Sequence, residues 1–151
     1  MCGRFTLHAN LKEIQETFKV DEVVAEPTPS YNVAPTQPVY AVVQHDGKSV
    51  LEPMRWGLIP FWAKDASIGS KMINARAETL TEKSSFSRPL KNQRCLIVAD
   101  GFYEWRKEGT AKIPTYIHLK SGKPFGFAGL YDTWKSPEGE LVTSCTIITT
   151  S

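Results

Sequence analysis

Short apolar runs of strand type, separated by turn signals, are the feature of this sequence that most restricts its fold. Between the first two runs, the pair Asp46-Gly47 is typical of a tight hairpin turn. Many short strands with few helices predict an α+β fold, with a barrel-like core of mainly antiparallel strands and a few short peripheral helices. The expected strands lie at 39–44, 49–58, 94–99, 101–106, 115–119, 125–131 and 141–149.

Two helical segments are expected beside the sheet. Asn10 and Glu13 have capping-box spacing, and apolar residues then recur on one helical face, which predicts a helix over 11–19. A helical or irregular piece is expected over 79–93, interrupted at Pro89.

Residues 25–38 contain four prolines, and we expect no regular structure there. A loop of this length inside a compact domain is often functional.

At 151 residues the chain suits one domain with a hydrophobic core, and we expect a single domain over 1–151. It contains no apolar run of membrane-spanning length and no secretory signal pattern. The three cysteines form no CxxC pair, and Cys95 and Cys145 lie in apolar runs where small buried side chains are expected. A reducing, cytoplasmic compartment is the expectation that follows.

Cys2 is the cysteine with a chemical expectation. Removal of Met1, which is usual when the second residue is small, leaves an α-amine and a thiol on adjacent carbons. With ordinary pKa values of about 8 and about 8.5, both groups are partly nucleophilic at neutral pH. An aldehyde reacts with such a pair to form an imine and then a thiazolidine ring. On the Met-Cys-Gly start alone, a reactive aminothiol and an incidental residue at a frayed terminus are equal alternatives.

The segment NARAET carries a second polar pair. Asn74 and Arg76 alternate by two, so in an extended segment both side chains face the same side. An amide and a guanidinium on one face suit a sugar and a phosphate. For this fragment alone, an Asn in a turn beside a surface Arg is the simpler alternative.

The segment GFYEW places Glu104 among three aromatic residues. A carboxyl group in such a partly enclosed setting is suited to proton transfer. The alternative is an edge-strand glutamate that points into solvent.

Charge and aromatic content are compatible with a polyanionic partner. Residues 64–135 carry 13 Lys and Arg against 7 Asp and Glu, whereas the flanking segments are acidic. Aromatic residues interleaved with cations are typical of surfaces that bind single-stranded nucleic acid, although each aromatic taken alone is more often a core residue. The residues concerned are Trp56, Phe61, Trp62, Phe102 and Trp105 with Arg4, Arg55, Lys64, Lys71, Arg76 and Arg106.

The three histidines, His8, His45 and His118, lack the spacing of metal ligands. No metal and no other cofactor is therefore expected.

Five motifs in order, MCGRF, SYNVAPTQ, MRWGLIPFWA, NARAET and GFYEW, together resemble the SRAP family, named for SOS response-associated peptidases. The resemblance covers essentially the whole chain and is closer to the bacterial branch. It implies a barrel-like core of strands with peripheral helices, in agreement with the pattern above. It also implies a monomeric, nucleoid-associated bacterial protein that shields abasic sites in single-stranded DNA, with no membrane association.

The resemblance implies roles for individual residues. Cys2 corresponds to the nucleophile that captures the ring-opened sugar aldehyde in a DNA–protein crosslink. Asn74 corresponds to the amide that positions Cys2 and the sugar, and Glu104 to the proton-transfer carboxylate. Peptidase activity, including removal of the protein's own initiator methionine, and lyase activity are further expectations. The DNA-binding residues that the resemblance implies are Arg4, Asn32, Pro35, Trp62, Lys71 and Arg76.

The sequence departs from the family pattern at its end. Family members continue with a histidine in an HxRMP-type segment that completes the site, and this sequence ends at ITTS without one. We therefore expect the domain to continue beyond Ser151.

Two other functions remain as alternatives. One is a module that binds single-stranded DNA without covalent chemistry, and its binding would disappear with rising salt. The other is a glutamine amidotransferase with an N-terminal cysteine nucleophile. Those enzymes typically need an Asn-Gly pair, which this sequence lacks.

Overall fold

The computed structural model describes residues 2–151, and most of its regular structure is β-strand. The helices are α1 (Leu11–Phe18) and α2 (Ser84–Asn92), with short 3₁₀ turns over Ala66–Lys71 and Ala77–Thr79. The strands are, in chain order, β1 (Phe5–Leu7), β2 (Glu22–Val23), β3 (Ser30–Val33), β4 (Pro38–His45), β5 (Lys48–Trp56), β6 (Asn74–Arg76), β7 (Arg94–Ala99), β8 (Gly101–Glu108), β9 (Ala111–Ile117), β10 (Phe125–Lys135) and β11 (Leu141–Thr149).

Five strands close into a barrel in the order β5-β4-β7-β10-β11, with antiparallel pairing between neighbours in that series. A parallel pairing of β11 with β5 closes the ring, where Ser144 lies opposite Arg55 and Cys145 opposite Trp56. β2 pairs with β5 and β6 with β11, so each adds to the barrel sheet. The expected α+β fold with a barrel-like core is confirmed.

A second sheet, with the order β3-β1-β8-β9, is connected to the barrel at Asp100, between β7 and β8. The Asp100 side chain is buried and accepts a hydrogen bond from the Thr6 hydroxyl at 2.6 Å. It also accepts from the backbone N–H groups of His8 at 2.7 Å and Ala9 at 2.9 Å. These bonds hold the end of β1 against the start of β8, and thereby position the residues before β1 relative to Glu104 on β8.

The main core joins the two sheets around Trp56, which is fully buried. The Phe5 ring lies 5.1 Å from the Trp56 ring and 5.7 Å from the Phe127 ring, measured between centroids. Burial of one such aromatic side chain stabilises the fold by about 2–3 kcal/mol. The Trp56 indole N–H donates to the carbonyl oxygen of Ile73 at 3.0 Å, so the core also holds the residue just before β6.

The local signals near the N-terminal half are confirmed. The Asn10 side chain accepts from the N–H of Glu13 at 2.8 Å at the start of α1, and the helix ends one residue earlier than expected. Asp46 and Gly47 both have positive φ values, 51° and 79°, as a two-residue type I′ hairpin turn requires.

Two expectations that involve prolines are wrong. Segment 25–38 is not wholly irregular, because it contains β3. Strand β9 occupies Ala111–Ile117 rather than 115–119, and it includes Pro114. β3 and β9 are the two edges of their sheet, where prolines in or beside a strand need not interrupt the ladder.

Helix α2 also passes through Pro89 instead of being interrupted there. The proline removes one backbone hydrogen bond from a nine-residue helix, but Pro89 is buried against the protein and its carbonyl accepts from the Gln93 N–H at 2.7 Å.

Within residues 2–151 no helix has both the length and the apolar character needed to cross a bilayer. The same residues contain no cluster of three His, Cys, Asp or Glu side chains that could hold a metal ion.

Candidate active site

Cys2 lies just before β1 and is packed into the main core, with only 5% of its surface exposed. The same core contains Phe5, Val33 and Trp56. The thiol sulfur lies 3.8 Å from the carbonyl oxygen of Arg4, to which it can donate a weak hydrogen bond. Cys2 is therefore held in a fixed position and is not a loose residue at a frayed end.

The thiol of Cys2 is difficult to ionise in this setting. Burial is the main reason that its pKa is raised to about 11; a hydrogen bond with the Arg4 backbone lowers the pKa in part, and the negative charge of Glu104 raises it. This pKa lies above the ordinary thiol value of about 8.5 from which partial nucleophilicity was expected. Nucleophilic attack by this sulfur needs a neighbouring group that accepts its proton.

Asn74 holds Cys2 from the barrel side. Its side-chain Nδ2 donates to the carbonyl oxygen of Cys2 at 3.0 Å. Its Oδ1 is buried and has no hydrogen-bond partner among residues 2–151. The position of Asn74 follows from β6, where it lies opposite Ile147 of β11.

The sequence predicts that Asn74 and Arg76 share one side of an extended segment. The structure agrees, since both residues lie on β6 and Ala75 between them is buried. Arg76 is exposed, and its Nε lies 3.9 Å from an oxygen of Glu78, a weak surface ion pair.

Glu104 lies on β8, next to β1. Phe5 pairs with Phe102, and the N–H of Tyr103 donates to the carbonyl oxygen of Arg4 at 3.1 Å. Because side chains alternate along a strand, Glu104 lies on the same face as Phe102, which packs against the core around Cys2. Glu104 is half-buried, as its aromatic surroundings predict.

Cys2, Asn74 and Glu104 are thus brought together from three distant segments. Asn74 contacts Cys2 directly, and the charge of Glu104 acts on the Cys2 thiol. A nucleophile, an amide and a carboxylate in this arrangement can support addition to a carbonyl group.

The other residues expected to bind DNA all lie at least partly at the surface. Trp62 is 46% exposed, and Pro35 is half-buried beside β3. The remaining four, Arg4, Asn32, Lys71 and Arg76, are exposed.

Aromatic residues divide between the core and the surface. The expectation that each is more often a core residue is correct for Trp56 and wrong for Phe61, Trp62 and Trp105, which are 47%, 46% and 64% exposed. The Phe61 ring carries the guanidinium of Arg88 at 4.2 Å from its centroid.

The histidines are not part of this cluster. The ring of His8 stacks on Tyr31 at 4.6 Å between centroids, and its Nε2 lies 3.5 Å from Asp100. His45 lies 3.4 Å from Glu52, and His118 contacts a neighbouring backbone carbonyl.

Two positioning residues were not singled out from the sequence. Asp100 connects the sheets, and Thr6 donates to it from β1. The only local signal was an Asp-Gly pair directly after an apolar strand, which indicates a tight corner but not the partners of the carboxylate.

Comparisons with known proteins agree with the resemblance seen in the motifs. The abasic site processing protein YoqW of Bacillus subtilis (strain 168) is 53% identical over 153 residues, a match that covers 99% of this chain and 68% of YoqW. The abasic site processing protein HMCES of Xenopus tropicalis is 36% identical over 151 residues, covering 80% of this chain and 45% of HMCES.

The fold has a close counterpart among solved structures. A crystal structure of a protein from Bacteroides thetaiotaomicron superimposes with a TM-score of 0.87 at 30% identity, covering 99% of this chain and 68% of the other. The family model described as SOS response associated peptidase matches residues 1–151. This chain therefore belongs to the SOS response associated peptidase (SRAP) family.

Proposed function

We propose that this protein captures abasic sites in single-stranded DNA by a covalent thiazolidine link to Cys2, after Met1 has been removed. The observation that carries the proposal is the position of Cys2, whose carbonyl is bound by Asn74 and whose thiol lies in the field of Glu104. The names of YoqW and HMCES, abasic site processing proteins, support the same lesion as the substrate.

The first step is condensation of an amine with an aldehyde. An abasic sugar opens when the bond between its ring oxygen and C1′ breaks, the C1′ hydroxyl loses a proton and the ring oxygen gains one. Glu104 is the candidate to transfer that proton. The α-amine of Cys2 then adds to C1′ to give a carbinolamine. Its hydroxyl takes a proton from Glu104 and leaves as water, and the nitrogen loses a proton to give the neutral imine.

The second step forms the ring. The Cys2 sulfur adds to C1′, its proton passes to the Glu104 carboxylate, and the imine nitrogen receives a proton to become the ring amine. A proton acceptor is necessary here because the buried thiol has a pKa of about 11. Asn74 would hold the Cys2 backbone in the geometry that the five-membered ring requires.

The DNA is proposed to lie across the exposed residues that flank Cys2. Arg4 and Arg76 supply cations for phosphates on either side of the lesion, and Lys71 adds a third. Asn32, Pro35 and Trp62 would line the path of the strand. An abasic sugar has no base to unstack, so it can enter the site at small energetic cost.

Removal of Met1 is required for this chemistry, because the α-amine of Cys2 is otherwise part of a peptide bond. We propose that the Cys2 thiol and Glu104 also take part in that cleavage, which would be the peptidase activity of the family name. Purified protein refolded with Met1 present, and followed by N-terminal mass, should lose Met1 without added peptidase.

A denaturing gel with an abasic oligonucleotide tests the main proposal. The wild type should form a complex that survives denaturation, and Cys2→Ala should not. Cys95→Ala is the matched control, because Cys95 is a second buried cysteine on β7 and should keep full crosslinking.

The same gel and an assay of glutamine hydrolysis separate the alternatives. A complex that is lost on denaturation and weakens with salt would indicate a non-covalent binding module. Glutamine hydrolysis without DNA would indicate an amidotransferase.

A further inference from the structure

Arg55 lies on β5 and is half-buried. Its Nε is buried and has no hydrogen-bond partner within residues 2–151, and its guanidinium forms no ion pair with any of those residues. Four of the other five arginines have partners: Arg76 and Arg106 lie near carboxylates, Arg94 donates to the Leu90 carbonyl, and Arg88 lies over Phe61. The fifth, Arg4, is exposed to solvent.

The side chain of Arg55 lines a cavity of about 400 Å³ on the outside of the barrel closure. Two threonines, Thr36 and Thr143, contribute to the same lining, and Pro38, Pro53 and Met54 complete it. Among the described residues, the lining therefore contains one cationic and two hydroxyl-bearing residues and no acidic one.

The backbone holds these groups in fixed places. Arg55 lies at the seam where β5 meets β11, opposite Pro38 on one side and Ser144 on the other. Thr36 has a φ of 73°, a conformation that a β-branched residue rarely adopts. The surrounding structure maintains it, because the Thr36 N–H donates to the Trp56 carbonyl at 2.8 Å.

Burial of the Arg55 Nε–H away from water, without a hydrogen-bond acceptor, costs free energy. A bound acceptor would offset that cost. The planar donors of the guanidinium match the oxygen atoms of a phosphate, which can accept from two guanidinium nitrogens at once. Hydroxyl groups at the same cavity can donate to the remaining oxygens. A phosphate also offers more acceptor oxygens than the two of a carboxylate, so it can use the guanidinium and both threonine hydroxyls together.

We propose that this cavity is a phosphate-binding site, with Arg55 as its anchor and the hydroxyl groups of Thr36 and Thr143 as further donors. The phosphate belongs either to the backbone of a nucleic acid strand or to a phosphorylated small molecule. Thr36 follows Pro35, which is on the proposed DNA path, so the strand can reach the cavity. The binding does not depend on Cys2 chemistry.

NMR titration of the full chain tests the site directly. Inorganic phosphate should shift the Arg55 Nε–Hε signal and the backbone amides of Thr36 and Thr143, and the shifts should saturate. Arg55→Met should weaken phosphate binding by about tenfold or more, since a charged hydrogen bond is lost. Lys48→Met is the matched control, because Lys48 lies at the far end of β5 and pairs with Glu22 at 3.3 Å.

A second titration uses an undamaged single-stranded oligonucleotide, which cannot form a crosslink. If the phosphate source is the DNA backbone, Arg55→Met should reduce the slope of log affinity against log salt by about 0.7. If the source is a small molecule, only the inorganic phosphate titration should respond to the variant. Arg55→Lys, with equal unfolding temperature, should retain part of the binding and excludes misfolding as the cause.

Two outcomes overturn the proposal. One is that neither phosphate nor oligonucleotide shifts the signals of Arg55, Thr36 and Thr143. The other is that Arg55→Met and Lys48→Met weaken binding equally. Crosslinking to an abasic oligonucleotide can succeed or fail independently of both results.

Discussion

The side-chain nitrogen of Asn74 lies 3.0 Å from the carbonyl oxygen of Cys2, although the two residues are 72 positions apart in the chain. This contact connects β6, an extension of the barrel sheet, to the segment that precedes β1. The side-chain oxygen of Asn74, Oδ1, is buried and accepts no hydrogen bond within residues 2–151. Asn74 can therefore hold the Cys2 backbone and still accept a hydrogen bond from a bound group.

Replacement of Asn74 by alanine should slow crosslinking without unfolding the protein. The loss of one hydrogen bond costs about 1 kcal/mol of stability, whereas misplacement of the nucleophile can lower the rate by about a hundredfold. Single-turnover crosslinking and thermal unfolding measure the two effects. Asn92→Ala, at the end of α2, is the control. An equal crosslinking rate in both variants would show that Asn74 has no role in the site.

Replacement of Glu104 by glutamine should have two separable effects. Because the Glu104 charge raises the pKa of the Cys2 thiol, its removal should lower that pKa from about 11. Crosslinking should nevertheless slow by about a hundredfold or more, because the proton acceptor is lost. The pH dependence of Cys2 alkylation, followed by mass, reports the first effect, and the crosslinking rate reports the second.

Glu108→Gln is the matched control for this variant. Glu108 lies on the same strand, is exposed, and is 3.7 Å from Arg106. A Glu104→Gln protein that crosslinks at the wild-type rate would show that another group accepts the proton.

Gly57→Ala should destabilise the fold through a backbone clash. A Cβ atom at Gly57 would lie 2.5 Å from the carbonyl oxygen of Gly69, and the φ of 127° is itself unfavourable for other residues. We expect a loss of about 2–4 kcal/mol in the free energy of unfolding. Gly139→Ala, with a φ of 88° and no atom near its Cβ, should lose only about 1 kcal/mol. If urea unfolding gives the same loss of free energy for both variants, the positive φ alone, and not the clash with Gly69, is responsible.

Stability should decrease at acidic pH partly because of Glu78. Hydrogen bonds from its own backbone N–H, from the N–H of Ser151 and from the Thr150 hydroxyl lower the pKa of its carboxyl from 4.5 to about 2. Because this pKa is lower in the folded protein than in the unfolded chain, ionised Glu78 stabilises the folded state at pH values above 4.5. This stabilisation is lost as the pH falls from 4.5 through about 2.

The variant Glu78→Gln should therefore show a shallower loss of stability over that range than the wild type. Urea unfolding at a series of pH values measures it, with Glu138→Gln as a surface control. Parallel curves for wild type and Glu78→Gln would contradict the assignment.

The local elements were predictable because their signals lie in neighbouring residues. The capping pair Asn10 and Glu13, the Asp46-Gly47 turn and the apolar runs gave α1, the first hairpin and most of the barrel strands nearly at their observed positions. The roles proposed for Cys2, Asn74 and Glu104 came from the resemblance to a family, since each fragment alone left another interpretation open.

Long-range relationships could not be predicted in the same way. The parallel pairing of β11 with β5 leaves no periodic pattern in either segment. The raised pKa of Cys2 depends on its burial in the main core, which the sequence does not reveal for a residue so near the terminus. The edge positions of β3 and β9, which permit their prolines, are likewise consequences of sheet order.

In the proposed crosslink, Cys2 binds the abasic sugar through both its nitrogen and its sulfur. The decisive measurement is the intact mass after incubation of the Met1-free protein with an abasic oligonucleotide. We expect a one-to-one adduct lighter than the sum of the two molecules by one water, with Cys2 no longer open to alkylation after denaturation. A stable adduct of equal yield with Cys2→Ala, or an adduct in which the Cys2 thiol can still be alkylated, would contradict it.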